Sequence, residues 1–161
     1  MKVRFLATSA IIAALYIAIT MLVAPISFGQ VQFRIAEMFN HLIAFNPRYI
    51  VGVTLGVFIS NGLLSSVGPI DMVFGVGHTL ITLGIFIFIC KFVKNLWARL
   101  IINTFLFTFT MFIIAFQLNL VLEFPFWETW AFVAIGEFVV LAVGAPIMHA
   151  LNKKLDFKNL I

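Results

Sequence analysis

Charge is scarce in this chain. Ten Lys and Arg plus six Asp and Glu make up 10% of 161 residues, where a soluble domain carries about a quarter. Cysteine is scarcer still: the single Cys90 excludes an internal disulfide and any cysteine-based metal cluster. His41, His78 and His149 lie on three different segments without paired metal-ligand spacing, so no metal site is expected. No glycine-rich phosphate loop ends in Lys-Ser or Lys-Thr. If this protein works at the expense of ATP, another subunit hydrolyses it. No serine or cysteine nucleophile has a base nearby in sequence, which argues against an enzyme. Low-complexity segments and internal repeats are also missing, leaving an inverted-repeat transporter without support.

What fills the chain is apolar. Hydrophobic residues make up 63%, twenty of them Phe, and mean hydropathy is +1.17. A core of this size cannot hide so much apolar surface, so the expected solvent is lipid: an all-α integral membrane bundle forming a single membrane domain over 1–161. The runs are continuous rather than alternating, which excludes a β-barrel. A crossing needs about 20 mostly apolar residues, and six candidate transmembrane helices emerge, near 4–24, 32–45, 48–65, 72–93, 98–119 and 127–150. The second is short and is interrupted by Asn40 and His41. The opening Met-Lys-Val-Arg before an apolar run imitates a signal peptide, but further spans follow, and a retained first helix is expected.

Orientation follows from the basic residues. With both N- and C-termini cytoplasmic, Lys2, Arg4, Arg48, Lys91, Lys94, Arg99, Lys153, Lys154 and Lys158 fall inside, and Arg34 alone of the ten lies outside. That is the asymmetry of positive-inside insertion, and it accounts for the net charge of +4 better than a nucleic-acid partner does, since no basic patch is interleaved with polar surface. The acidic residues go the other way. Glu37, Asp71, Glu123, Glu128 and Glu137 lie at the outer side or in the outer half of a span, with Asp156 alone inside. Such a region suits a cationic or hydrogen-bond-donating ligand, or marks the side where acidic residues are tolerated.

Several residues are candidates for a site. Arg34 and Glu37, at spacing i, i+3, would share a helix face and pair, either as an interfacial salt bridge or as part of a pocket under the loop Pro25 to Val31. Glu137 lies ten residues into the last span, roughly 15 Å deep at 1.5 Å per residue. A carboxylate there needs a partner, water or a cation, or else a hydrogen bond from another helix, for which Asn103 is available. Asn61 and Asp71 flank a Gly/Pro loop with Ser65 and Ser66 at its tip. Asp71 could cap the following helix or contact a ligand. Trp127, beside Glu128 and Trp130, reads as an interfacial aromatic belt or as a stacking platform. His78 could line a pocket, and His149 reads as an inner-interface residue. Two small-residue stripes, Ala10, Ala14, Ala18 and Gly52, Gly56, Ser60, permit close helix approach, within the bundle or to a partner protein.

The stretch Val31-Gln-Phe-Arg-Ile-Ala-Glu-Met-Phe-Asn-His41, with Asn46-Pro-Arg-Tyr49, Gly52 to Asn61 and Pro69-Ile-Asp-Met-Val-Phe-Gly75, resembles the QueT family. Gly136-Glu137 and Gly144-Ala-Pro146 fit it too, and the resemblance covers nearly the whole chain. It implies a substrate-binding (S) component of an energy-coupling factor transporter for queuosine precursors, in a bacterial plasma membrane. Such proteins are six-helix bundles that bind a vitamin or precursor near the outer face. They dock on a transmembrane coupling protein and two ATPase subunits, which use the ATP; toppling of the bundle then releases substrate inside. The implied ligand is 7-aminomethyl-7-deazaguanine or a relative, held without a cofactor in this chain. The resemblance also makes Ala10, Ala14 and Ala18 the coupling-protein contact. Arg34, Glu37, Asn61, Asp71, His78, Trp127 and Glu137 are the candidate substrate-binding residues. An S component for another vitamin-like heterocycle, or a stand-alone secondary transporter using Glu137 as a proton or cation relay, are the competing readings.

Overall fold

A computed structural model describes residues 2–28, 32–65 and 67–161. Gly29, Gln30 and Val31 of the first loop expected outside, Ser66 of the next, and Met1 lie outside the described residues. The described chain is helical: α1 Lys2–Leu22, α2 Ala24–Ser27, α3 Ile35–Phe45, α4 Pro47–Leu64, α5 Pro69–Cys90, α6 Leu96–Thr110, α7 Phe112–Leu122, α8 Phe126–Leu155 and α9 Phe157–Leu160. Five segments are long and apolar enough to cross a membrane: α1, α4, α5, α6 with α7, and α8.

The segment read as a second span departs from that expectation. Phe33 and Arg34 precede the helix, and Arg34 is extended at φ −99° and ψ 93°. From there α3 runs as a three-ten helix over Ile35–His41 and as α-helix only over Leu42–Phe45. At 2.0 and 1.5 Å per residue it reaches roughly 20 Å, against a hydrocarbon thickness of about 30 Å. Asn40 and His41 do not break α3; they are buried, because the helix runs through the middle of the bundle and not along lipid. Helix α8 instead outruns its expected end. Pro146 lies inside it, and it continues to Leu155, with Lys153 and Lys154 in its last turn, where cations suit the helix dipole.

Helix starts follow local chemistry. Gly68, at φ 71° and ψ −138°, turns the chain into α5, and Pro69 takes the first turn, where its missing N–H costs nothing. Asn95 caps α6, its side chain accepting from the Ala98 amide. The fifth span breaks at Met111 between α6 and α7. Just before the break, the Thr110 hydroxyl turns back to the Leu106 and Phe107 carbonyls, a bond that bends helices.

The bundle is held by close approach. A Cβ added to Gly52 would lie 2.8 Å from the Ser9 carbonyl oxygen, and one on Gly56 would lie 2.7 Å from Tyr16 Cβ. The Gly52–Gly56–Ser60 stripe is therefore the seam between α4 and α1, which run parallel. Ala10, Ala14 and Ala18 lie on the opposite, exposed side of α1. Large apolar side chains such as Leu22, Val73, Phe105 and Ile135 face outward on every long helix, while Asn40, His41, Asn61, Thr82, Asn103 and Gln117 are sealed inside. An apolar exterior around a polar interior is the arrangement lipid demands.

The two ends of the bundle are tied differently. At one, the Arg99 guanidinium donates to the carbonyls of Val93, Cys90 and Ala44, Tyr49 donates to the Phe157 carbonyl, and Asn46 to that of Lys158. The start of α1 lies at this end too, through its parallel packing on α4, so both chain ends and nine of the ten basic residues gather there. The opposite end holds the buried charges.

Candidate functional site

Four charged side chains are buried: Arg34, Glu37, Asp71 and Glu137. All four belong to the set singled out from the sequence, and the structure brings them into one region. Their pairing is not the expected one. Because Arg34 sits in extended backbone ahead of α3, it does not share a helical face with Glu37. Its guanidinium reaches across to the start of α5, 3.5 Å from Asp71 Oδ2. It also donates to Asn61 Oδ1 at 2.9 Å, Gln32 Oε1 at 2.8 Å and the Ser27 carbonyl at 3.2 Å, and lies over the Phe28 ring. One side chain thus ties the turn after α1 to α4 and α5.

Asn61 and Asp71 complete this knot. Asn61 accepts from Arg34 and donates to the Asp71 carbonyl at 2.9 Å. The cap of α5 is Gly68, and the Asp71 carboxylate turns into the bundle, where Oδ1 accepts from Gln117 Nε2 at 2.8 Å. Gly75 makes room for it: a Cβ there would meet Asn61 Nδ2 at 2.1 Å. Gln117, Gln32 and Ser27 are members that sequence reading missed. A polar residue in an otherwise apolar run, shared only with Asn119, is the signal that could have raised Gln117.

Glu37 is held by neutral donors. Tyr16 donates its hydroxyl to one carboxylate oxygen and Asn40 its amide to the other. Tyr16, fully buried on α1, was not singled out; one of only two tyrosines in an apolar chain, it had that much of a signal. Glu137 is 1% exposed, and its Oε1 has no hydrogen-bond partner among the described residues. The interhelical partner considered for it, Asn103, is engaged elsewhere: its amide contacts His41 Nδ1 at 3.1 Å, while His41 Nε2 reaches the Leu141 carbonyl at 2.9 Å.

Glu37 and Glu137 line a single small cavity together with Gln32, Arg34, Gly75, His78, Thr79, Met111 and Ile114. His78 is anchored by Thr110 at 2.9 Å and edge-on to Phe107. The cavity measures about 10 Å³, room for about one water. Met111 stands at the α6–α7 break, and an unbranched thioether side chain is readily displaced, so this wall can widen. Trp127 does not reach the cavity. It is 74% exposed, clustered with Phe126 and Trp130 at the start of α8. Among the described residues, no three His, Cys, Asp or Glu side chains converge as metal ligands.

Ionisable groups sealed inside an apolar-surfaced helical bundle, with five helices long enough to cross a membrane, define a multi-pass membrane protein. A family model described as QueT transporter matches residues 6–153, and the chain belongs to that family. A protein of Lactococcus lactis subsp. cremoris (strain MG1363), named queuosine precursor transporter QueT, is 39% identical over 167 aligned residues, covering 98% of each chain. No solved structure matches.

Proposed function

We propose that this chain is the substrate-binding subunit of an energy-coupling factor importer in the bacterial plasma membrane. It captures a queuosine precursor, 7-aminomethyl-7-deazaguanine or a close relative, at the outer face. Glu137 carries this reading: a buried carboxylate with an unpartnered oxygen at a polar cavity, in a chain of the QueT transporter family. Such a group is costly in lipid unless function retains it. A heterocycle rich in N–H donors supplies the bonds that Glu137 lacks, and the base enters as the Met111 wall gives way.

In this reading the bundle is a six-pass one, with α3 as a short buried crossing between the two ends. The end tied by Arg99, holding both termini, faces the cytoplasm, in keeping with its basic residues. The binding function involves no chemistry. The energy comes from two ATPase subunits through a transmembrane coupling protein, which docks on the exposed Ala10, Ala14 and Ala18 of α1. Their small side chains permit close helix approach, and the glycine stripe of α4 already occupies the other face.

Uptake of radiolabelled 7-aminomethyl-7-deazaguanine, in cells unable to make queuosine precursors, tests the assignment. Accumulation should require both this chain and a hydrolysis-competent ATPase module, while the purified chain alone binds the base. Concentrative uptake by the chain alone in sealed vesicles would make it a secondary transporter.

A further inference from the structure

The four buried charges are not equally available to a ligand. Arg34 has five N–H groups, and four hydrogen bonds already run from them to Ser27, Asn61, Gln32 and Asp71. Asp71 accepts on both oxygens, from Arg34 and Gln117, and does not line the cavity. Glu37 also accepts on both, from Tyr16 and Asn40. Glu137 alone presents an unengaged, fully buried carboxylate oxygen. The charges are also unbalanced. Arg34 also lines the cavity but is ion-paired with Asp71, and among the described residues Glu37 and Glu137 have no salt bridge of their own.

We propose that Glu137 is the counter-ion for a positive charge carried by the ligand, and that it selects a cationic 7-substituent over a neutral one of the same shape. This rests on the importer reading above and assigns its specificity to one residue. Glu37 is then a positioning residue, held by Tyr16 of α1 and Asn40 of α3 so that the wall facing Glu137 keeps its shape. The physical reason is desolvation. An ionised carboxylate deep in a low-dielectric bundle is poorly solvated, and an ammonium group meets it with a charge-assisted hydrogen bond, stronger than any neutral donor offers. A neutral ligand offers nothing that offsets the cost of a buried charge.

The test compares 7-aminomethyl-7-deazaguanine with 7-hydroxymethyl-7-deazaguanine, nearly isosteric and uncharged, by titration calorimetry on the purified chain in detergent. The wild type should prefer the ammonium compound by about tenfold to a hundredfold, the range expected of a charged hydrogen bond. Glu137→Gln should bring the ratio of the two affinities close to one, and Glu137→Asp, which keeps the charge, should retain a preference. Glu37→Gln should weaken both ligands alike. Equal binding of the two compounds by the wild type overturns the proposal, as does an undiminished preference in Glu137→Gln. Should that variant fail to fold, by thermal unfolding, loss of preference in Glu137→Asp overturns it instead. Binding of neither compound by the folded wild type brings down the importer reading and this inference together, an outcome distinct from binding without charge selection.

Discussion

Asn61 does more for the site than any charged residue can do alone. Its oxygen accepts from Arg34 and its amide donates to the Asp71 carbonyl, so one neutral side chain satisfies a cation and a backbone group inside the bundle. Leaving a buried polar group unpaired costs about 1–3 kcal/mol, more for a charged one. Asn61→Ala leaves Arg34 Nη1 without its acceptor and the Asp71 carbonyl with its own helix alone, and should lower stability by about 1–3 kcal/mol. Asn159, also hydrogen-bonded but at the exposed end near Asp156, supplies the comparison: its replacement by alanine should stay within about 0.5 kcal/mol. Thermal unfolding of both variants in one detergent checks this. Equal losses would mean that the Arg34–Asn61–Asp71 knot does not stabilise the bundle.

Helix α1 has two working faces, and the structure tells them apart. Ser9, Ile12, Ala13 and Tyr16 face inward, and Gly52 and Gly56 of α4 approach that side closely. Adding even one methyl at Gly56 places it against Tyr16 Cβ, and Tyr16 carries the hydrogen bond to Glu37. Gly56→Ala should therefore cost about 1–3 kcal/mol in overpacking and weaken ligand binding as well, since the cavity wall moves with Tyr16. Ala10 and Ala14 face outward. Enlarging both to leucine should leave the melting temperature and ligand affinity of the isolated chain unchanged, while transport and copurification with the coupling protein fall. If the leucine pair destabilises the isolated chain as Gly56→Ala does, the outer face is internal packing after all and the docking assignment is lost.

At the scale of the whole molecule the bundle is polarised. One end gathers the termini and the basic residues, with Arg99 capping three carbonyls; the other gathers Arg34, Asn61, Asp71 and Gln117. If the basic end is cytoplasmic, a cysteine placed at Val67 will react with a membrane-impermeant maleimide from outside. Tags on both termini will react only after the cells are opened. Cys90 must first be replaced by serine, since it is only partly buried. Labelling of a terminal tag on intact cells would invert the topology and place the candidate site at the inner face.

Much of this was legible from residues alone. Lipid as solvent, the long apolar helices and the clustering of basic residues depend on local transfer free energy and length, which a sequence states directly. The candidate charges Arg34, Glu37, Asp71 and Glu137 were legible for the same reason: a charge inside an apolar run announces itself. Which charge meets which was not. The i, i+3 rule paired Arg34 with Glu37, but that rule presumes a helix, and Arg34 precedes one. Its partner lies 37 residues away, a distance that only tertiary packing closes. The roles of Tyr16 and Gln117 were not legible because a hydroxyl or an amide in a span declares a polar group without naming its partner. Hydropathy showed α3 to be short but could not show that it lies sealed inside the bundle, because a helix buried among helices and one bathed in lipid are both apolar. The sequence by itself determined the solvent and the inventory of charges. Tertiary structure decided which carboxylate kept an unpartnered oxygen, because hydrogen bonds join groups by position in space, and among the described residues no donor reaches Glu137 Oε1.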